Sequence, residues 1–260
     1  VFDTVQVLTE GGPSKSTEVL LFTMVQQGFT FLRSAYGSLA GSLECGGGIR
    51  APPVCDPWCG LVWQPTHGRQ LVVAAAPGEG VARLGLPAAA SAAVSFDAER
   101  RLALVCCLDG SLVAVAVQPQ QLAAAATAAA EEGAAAAALS PSGSGSPLAV
   151  AWRHQASVPL FAPATLLPGG TIAVGAVDGS ISCLASSDGR RRWRAVVQGA
   201  VFVPMLLLPS SAGRAVLLVG TQAGQLAALD PSTGRQLGAL QLGAKITGMQ
   251  LLPLPEACAA

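Results

Sequence analysis

The chain has 260 residues, of which 51% are hydrophobic and 12% charged, and its 15 basic and 15 acidic residues give a formal net charge of zero. Nucleic acid binding requires clustered Lys and Arg, so this composition argues against nucleic acid as a partner. The length and apolar content suffice for a sizeable core, and no stretch of about 18 strongly apolar residues predicts a complete membrane span.

The seven cysteines are an odd number and follow no disulfide-framework spacing. This pattern favours reduced thiols and a cytoplasmic location. The sequence opens on Val1 and shows no signal peptide, which predicts a fragment or a processed product.

Residues 1–42 differ from the rest of the chain and predict an N-terminal helical segment. A Gly-Gly-Pro turn ends at Pro13, and Ser16 and Glu18 then supply a hydroxyl cap and a first-turn acid. The apolar residues that follow share one helical face, namely Leu21, Val25, Leu32, Tyr36 and Leu39.

This segment resembles binding-protein-dependent sugar ABC transporter permeases. Its Thr-x-Gly-Gly-Pro motif is similar to that of their extracytoplasmic loop, before the last membrane helix. The coupling motif of that family has no counterpart here, and transport needs several membrane spans. We interpret residues 1–42 as a permease-like remnant, which leaves a degenerate permease located in a membrane as an alternative.

Residues 43–60 are rich in Gly, Pro and Cys, a composition typical of a linker. Four residues in or near this stretch are of zinc-binding types: Cys45, Cys55, Cys59 and His67. Their spacing matches no zinc finger and lacks Cys-x-x-Cys pairs, so we favour loop thiols and predict no metal site.

From residue 61 the chain consists of short apolar runs separated by glycine-containing turns. Asp109–Gly110 and Asp178–Gly179 lie between runs rich in Val, Leu, Ile and Ala, and Ala223–Gly224 holds the same place later. Runs of this length favour strands. Asp-Gly between two strands favours a type I′ hairpin, in which both central residues have positive φ.

The last two copies of this unit also share a second turn. It ends at Gly189 and Gly234, ten positions after Gly179 and Gly224, and the unit itself recurs after 45 positions. A leading strand precedes each copy, and a third leading strand appears around Gly248. Four short antiparallel strands that repeat every ~40–45 residues predict β-propeller blades, which must pack on one another.

Residues 119–147 interrupt the blade that contains Gly110 with Gln-rich, poly-Ala and Ser/Gly/Pro stretches. Alanine favours helix, but we interpret the stretch as a low-complexity loop insertion whose deletion leaves folding intact. Without the insertion, Trp152 takes the place that Trp193 holds in the next blade.

The stretches 183–193 and 228–238 resemble the PQQ-like repeat, whose pattern runs roughly Ala-Leu-Asp-x-x-Thr-Gly-Lys-x-x-Trp. Across 61–253, and best at 151–161, the chain is similar to the carboxy-terminal propeller of aminoadipate-semialdehyde-dehydrogenase-like acyl-CoA synthetases. The resemblance implies a Trp that packs between blades, and Gly238 departs from it. It implies no synthetase activity, because the adenylating and carrier domains have no counterpart.

No residue pattern indicates catalysis or a cofactor. Cys106 and Cys107 lie within a predicted strand and should point to opposite faces, which favours core thiols over the vicinal disulfide of PQQ-dependent quinoproteins. His67 and His154 belong to no triad-like motif. Arg190 to Arg192 are interpreted as the solvated side of a turn.

The sequence therefore predicts an all-β fold, a partial and open β-propeller of about four four-stranded antiparallel blades with an N-terminal helical segment. The blades span 61–253 and a tail spans 254–260. We predict a non-catalytic interaction or scaffold module whose last blade needs a protein partner, missing blades or self-association. A degenerate permease and a PQQ-dependent oxidoreductase are the alternatives. The residues predicted to hold turns and pack blades are Asp109, Gly110, Asp178, Gly179, Gly189, Gly224, Gly234, Trp152 and Trp193.

Overall fold

The computed structural model describes residues 45–75, 79–132, 147–208 and 215–249. The predicted N-terminal helical segment and the 254–260 tail lie outside these ranges. Within them the chain forms four antiparallel sheets of four strands each and one helix. The predicted all-β fold with four four-stranded blades is confirmed. No helix among these residues is long and apolar enough to span a bilayer.

The chain divides into two compact units, Val1–Ala156 and Ser157–Ala260, and each contains two of the sheets. In the first unit, sheet A comprises β1 (Val54–Cys55), β2 (Val62–Pro65), β3 (Gln70–Ala75) and β4 (Glu79–Gly85). Sheet B comprises β5 (Ser95–Asp97), β6 (Leu102–Cys106), β7 (Ser111–Val117) and β8 (Leu148–Gln155), and helix α1 (Pro119–Glu132) lies between β7 and β8.

In the second unit, sheet C comprises β9 (Thr165–Leu167), β10 (Thr171–Gly175), β11 (Ser180–Ala185) and β12 (Arg191–Val196). Sheet D comprises β13 (Leu206–Leu208), β14 (Val216–Gly220), β15 (Gln225–Leu229) and β16 (Gln236–Gln241). In all four sheets the strands are hydrogen-bonded in chain order, as successive hairpins require.

The four sheets share an irregularity between their third and fourth strands. In each sheet the register shifts directly after one residue of the third strand, namely Val73, Ala114, Cys183 or Ala228. The fourth-strand partners of these residues are Ala82, Trp152, Trp193 and Gly238. Because a bulge bends and twists its strand, this common position shows that the sheets repeat one unit, including the eroded copy in sheet A.

The turn between the second and third strands differs from the predicted type I′ turn. In sheet C, the Gly179 N–H donates to the Ala176 carbonyl (3.1 Å) and the Ala176 N–H donates to the Ser180 carbonyl (2.9 Å). Gly179 has φ 79°, whereas Asp178 is not among the residues with positive φ. The type I′ prediction is therefore wrong. The loop has three residues and ends on one glycine with a left-handed backbone conformation. Asp178 does not need a positive φ in this loop, and its side chain can accept hydrogen bonds within the turn.

Residues 45–53 pack on sheet A and residues 54–55 form its first strand, although the sequence assigns this range to a linker. Cys45 and Ile49 pack on Val72 and Ala74, and the His67 N–H donates to the Gly48 carbonyl at 2.9 Å. In each later sheet, the equivalent turn residue donates its backbone N–H to a carbonyl of the segment that precedes the first strand of that sheet. These donors are Leu108, Val177 and Gln222. A stretch rich in Gly and Pro looks like a linker in sequence, but its glycines serve the close approach of two backbones.

Helix α1 corrects the interpretation of 119–147 as a loop. Leu122 is fully buried in the core of the first unit, and Ala125 and Ala126 pack against the same cluster. The spacing of these three residues places them on one helical face. Alanine supplies the helix propensity, and the buried leucine supplies the packing that a solvated helix lacks. Residues 133–146 lie outside the described residues.

Sheets C and D share the core of the second unit. Ala173, Ile181 and Cys183 of sheet C are at most 1% exposed, and they pack in one cluster with Leu217 and Val219 of sheet D. This cluster shows how a sheet of this chain covers the sheet before it, as the repeat predicts.

Candidate interaction surface

The acidic residues of the repeated turns are engaged in holding those turns. Asp109 accepts hydrogen bonds from the backbone N–H (2.9 Å) and the hydroxyl (2.6 Å) of Ser111. Asp178 accepts the same two bonds from Ser180, at 2.9 and 2.6 Å. The carboxylates that the Asp-Gly pattern singles out are thus turn acceptors.

The pKa values of two turn carboxyls reflect these bonds. The hydrogen bonds from Ser232 lower the pKa of Asp230. Partial burial alone would raise the pKa of Asp178, but the bonds from Ser180 and the charge of Arg194 outweigh it, so the net shift is downward. Arg194 Nη2 lies 3.5 Å from Asp178 Oδ2. Both carboxyls are therefore held in the ionised, accepting state.

Asp56 organises a turn that the sequence does not reveal. One of its carboxylate oxygens accepts N–H bonds from Trp58 (2.9 Å), Cys59 (2.6 Å) and Gly60 (3.2 Å), and the other accepts the Trp63 indole N–H at 2.9 Å. Asp56 is 5% exposed and Trp63 fully buried. This buried carboxylate accepts hydrogen bonds from four N–H groups and so holds the turn between β1 and β2 of sheet A in place. Its sequence signal, an Asp four residues before a turn glycine, is common to many turns.

The four residues weighed as zinc ligands are not brought together. Cys45 is buried on sheet A, Cys55 is exposed, and Cys59 Sγ donates to the Pro119 carbonyl at 3.3 Å. Among the residues that the structure describes, no group of three His, Cys, Asp or Glu side chains is placed to hold a metal ion. Burial, with a smaller contribution from Asp56, raises the pKa of both Cys55 and Cys59.

Cys106 and Cys107 are buried thiols that form no disulfide. Cys106 ends β6, and Cys107 begins the turn and packs in the core of the first unit. Burial raises the pKa of Cys107, which keeps the thiol protonated and unreactive. The prediction of core thiols is confirmed for this pair.

Trp193 joins two sheets at the second repeated turn. Its indole N–H donates to the Pro231 carbonyl at 3.0 Å, and a Cβ added to Gly234 would lie 2.4 Å from Trp193 Cε3. Gly234 and Gly189 have φ of 72° and 69°, so the turn needs glycine both for its backbone and for the indole. Trp152 lies half-buried, in register with Ala114.

Gly238 stands at the tryptophan position of sheet D. A Cβ built there would have no atom of the described residues within 4 Å. Its strand, β16, is the one fourth strand of the described sheets without a charged residue. Three leucines in and just after it are large and exposed: Leu237 (49%), Leu240 (58%) and Leu242 (51%).

The side of sheet D that faces away from sheet C is apolar and partly exposed to solvent, and we call it half-open. Leu218, Leu226 and Ala228 occupy the register positions that Ala173, Ile181 and Cys183 hold in sheet C. The sheet C residues are at most 1% exposed, whereas the three sheet D residues are only partly buried. Exposed apolar surface of this kind marks interaction sites in soluble proteins.

Comparison with known proteins identifies the same kind of repeat in this chain. A family profile described as outer membrane protein assembly factor BamB matches residues 115–251, slightly more than half of the chain. No curated protein matches the chain. Nothing in the comparisons supports the resemblance to acyl-CoA synthetases or to permeases.

Two solved structures share the fold. BamB from Moraxella catarrhalis superposes with a TM-score of 0.59 at 17% identity, over 82% of this chain and 58% of that one. Sqt1 from Saccharomyces cerevisiae superposes with a TM-score of 0.56 at 16% identity, over 75% of this chain and 48% of that one. This chain thus spans about half the length of both. The strand order, the repeated turn and the profile match agree, and the chain belongs to the PQQ-like repeat family of β-propellers that the BamB profile describes.

Proposed function

We propose that the chain is a non-catalytic interaction module that binds another protein through sheet D. The observation that carries the proposal is the uncharged outer strand β16, with its exposed leucines beside a half-open apolar sheet face. The matching profile describes an assembly factor, and a comparable role through protein contacts is part of the proposal.

Strand edges in soluble proteins usually carry charges that prevent pairing with other chains. Strand β12 follows this rule, with Arg191, Arg192 and Arg194, and β16 departs from it. Interface cores are depleted of charged residues and rich in large apolar ones. The absence of charged residues from the edge strand β16 is therefore better explained by a protein partner that covers it than by a surface exposed to solvent.

A photo-crosslinking experiment tests the proposal. A photoreactive amino acid replaces Leu240 in one variant and Val196, which is 66% exposed on β12, in a matched control. We expect a discrete crosslinked protein from position 240, lost when L237K is added, and none from position 196. Equal crosslinking from both positions would contradict an interface on sheet D.

The quinoprotein alternative is tested by adding PQQ with calcium to the purified chain and measuring dye reduction. We expect none. The Asp carboxylates of the repeat already accept turn hydrogen bonds, which supports this expectation. Dye reduction above that of a heat-denatured sample would overturn the non-enzymatic assignment.

We also propose a reduced, cytoplasmic location and descent from a longer acyl-CoA-synthetase-like protein. The cysteines among the described residues form no disulfide, which supports the first point. Cell fractionation tests the location, and the full-length transcript tests whether the permease-like and propeller-like parts belong to one gene.

A further inference from the structure

We infer that the open face of sheet D is an unfilled blade junction whose occupant is a further sheet of the same PQQ-like repeat. The inference rests on the proposed function and names the kind of partner. The filled junctions inside each unit show how one sheet of the repeat packs on the next.

A filled junction has a backbone link and a tight side-chain contact. Between sheets C and D, the Val201 N–H donates to the Ala176 carbonyl at 3.2 Å. A Cβ added to Gly175 would lie 2.6 Å from Val201 Cγ1. In the first unit, the Ala90 N–H donates to the Thr66 carbonyl at the same 3.2 Å. The leading segment of each following sheet is thus anchored on the turn of the sheet before it.

The same link exists after sheet D. The Ile246 N–H donates to the Thr221 carbonyl at 3.2 Å. A Cβ added to Gly220 would lie 2.9 Å from both Ile246 Cγ2 and Met249 Sδ. Residues 246–249 therefore sit on sheet D as the leading segment of sheet D sits on sheet C. This continuity identifies the occupant as another sheet of the repeat and distinguishes it from an unrelated protein surface.

Burial shows that the described residues cover only part of this junction. Ile181 of sheet C is fully buried beneath sheet D, whereas Leu226, its equivalent in sheet D, is only partly buried. Leu240, on the same side of sheet D, is 58% exposed. The face is uncharged, so an apolar sheet can cover it without burying a charge.

Gly238 adds a requirement that the occupant must meet. At the junction of sheets C and D, the Trp193 indole fills the space above Gly234. Sheet D has Gly238 at that register position, and no described residue occupies the corresponding space within 4 Å of a Cβ built there. A sheet with glycine at the facing turn would leave a void there, which costs stability. The natural occupant should therefore present a larger group where sheet D has Gly234.

The test supplies a sheet in the same polypeptide. The Val201 and Ile246 N–H groups donate to equivalent turn carbonyls, those of Ala176 and Thr221, so Met249 is equivalent to Pro204. A second copy of residues 205–243 can therefore replace residues 250–260 and continue the repeat. The matched control has L217E and V219E within the appended copy, since these residues face the preceding sheet. Bis-ANS fluorescence, Tm and sedimentation are measured for the natural chain, the extended chain and the control.

We expect the extended chain to lose most of its bis-ANS fluorescence, to melt at a higher temperature and to sediment as a monomer. The control should retain the fluorescence of the natural chain. G238W should raise Tm in the extended chain, where the copied Gly234 can accept an indole, and shift the tryptophan emission to the blue. In the natural chain the same substitution should leave the new indole in solvent, with no gain in Tm.

Two outcomes would overturn the inference. One is equal bis-ANS fluorescence in the extended chain and its control, with no Tm coupling to G238W. The other is a natural chain that forms a defined dimer without bis-ANS binding, because sheet D of a second copy, and not a further sheet of the repeat, would then cover the face. If the extension behaves as expected but crosslinking at position 240 finds no protein, the proposed interaction function fails and the junction stands.

Discussion

The fourth position of the turn between the second and third strands is left-handed in all four sheets. Gly110, Gly179 and Gly224 have φ of 85°, 79° and 77°, and Arg69 has φ of 61° in sheet A. Left-handed backbone costs a non-glycine residue roughly 1–2 kcal/mol. The turn geometry is therefore imposed by the surrounding hairpin, and glycine removes a strain that sheet A retains.

Replacing Gly179 by Val should lower stability by about 1–3 kcal/mol, because a β-branched residue resists positive φ. A Cβ at this position would also lie 2.3 Å from the Val197 carbonyl oxygen. Urea unfolding measures the loss. Gly238→Ala is the control, since its Cβ would have no described neighbour within 4 Å. Equal midpoints for the G179V variant and the natural chain would contradict the role of Gly179 in the turn.

We expect His67 to make the free energy of unfolding depend on pH. Burial lowers its pKa from the ordinary 6.5, and the charge of Arg50 lowers it further. Its Nε2 is buried and accepts no hydrogen bond from the described residues. A lowered pKa in the folded state means that the unfolded state binds more protons as the solution acidifies. The stabilising contribution is therefore full above pH 6.5 and is lost as pH falls through the lower, folded-state pKa.

Urea midpoints measured between about pH 8 and about pH 5 test this linkage. The natural chain should lose more stability across this range than H67Q does, with H154Q as the control for the other histidine. A pH dependence that is the same in the natural chain and in H67Q would show that His67 is not responsible.

At the scale of elements, the strand pairs and their bulges recur in all four sheets, whereas helix α1 occurs once. Leu122 joins the helix to the first unit's core, and Cys59 donates to the carbonyl of Pro119, the first helical residue. An insertion between β7 and β8 has thus become part of the packing of that unit. Deletion of 119–147, which a loop interpretation expects to be tolerated, should instead lower stability.

Leu122→Ala isolates this effect. Leu122 is fully buried, so its truncation should cost about 2–5 kcal/mol through lost burial and a cavity. Ala124→Ser, on the exposed side of α1, is the control and should change stability little. Differential scanning calorimetry compares the two variants. A melt unchanged by L122A would show that the helix packs too loosely to support the core.

At the scale of the whole molecule, the exposed leucines of β16 and the half-open face of sheet D should govern behaviour in solution. We expect the natural chain to self-associate with rising concentration and without one defined size, because uncovered apolar surface is unstable in water. Light scattering across a concentration series measures this, and L240K should weaken it. A monodisperse monomer with a sharp melt would contradict an open last sheet.

The repeat, the strand pattern and the turn glycines can be predicted from the sequence alone. These features are local, since alternating short apolar runs and glycine turns have the same physical cause in every copy. The turn type predicted from the sequence was wrong, because Asp-Gly fits both a two-residue and a three-residue hairpin loop. The prediction also missed the turn of sheet A, where Arg69 replaces the expected glycine.

Features that depend on contacts between residues far apart in the sequence become apparent only in the folded structure. Residues 45–51 look like a linker until Gly47 is seen against Gly68, and poly-Ala looks solvated until Leu122 is seen in the core. The open face of sheet D likewise has the same local pattern as the covered face of sheet C. Whether an apolar face is buried depends on the sheet beside it, and no local pattern records that neighbour.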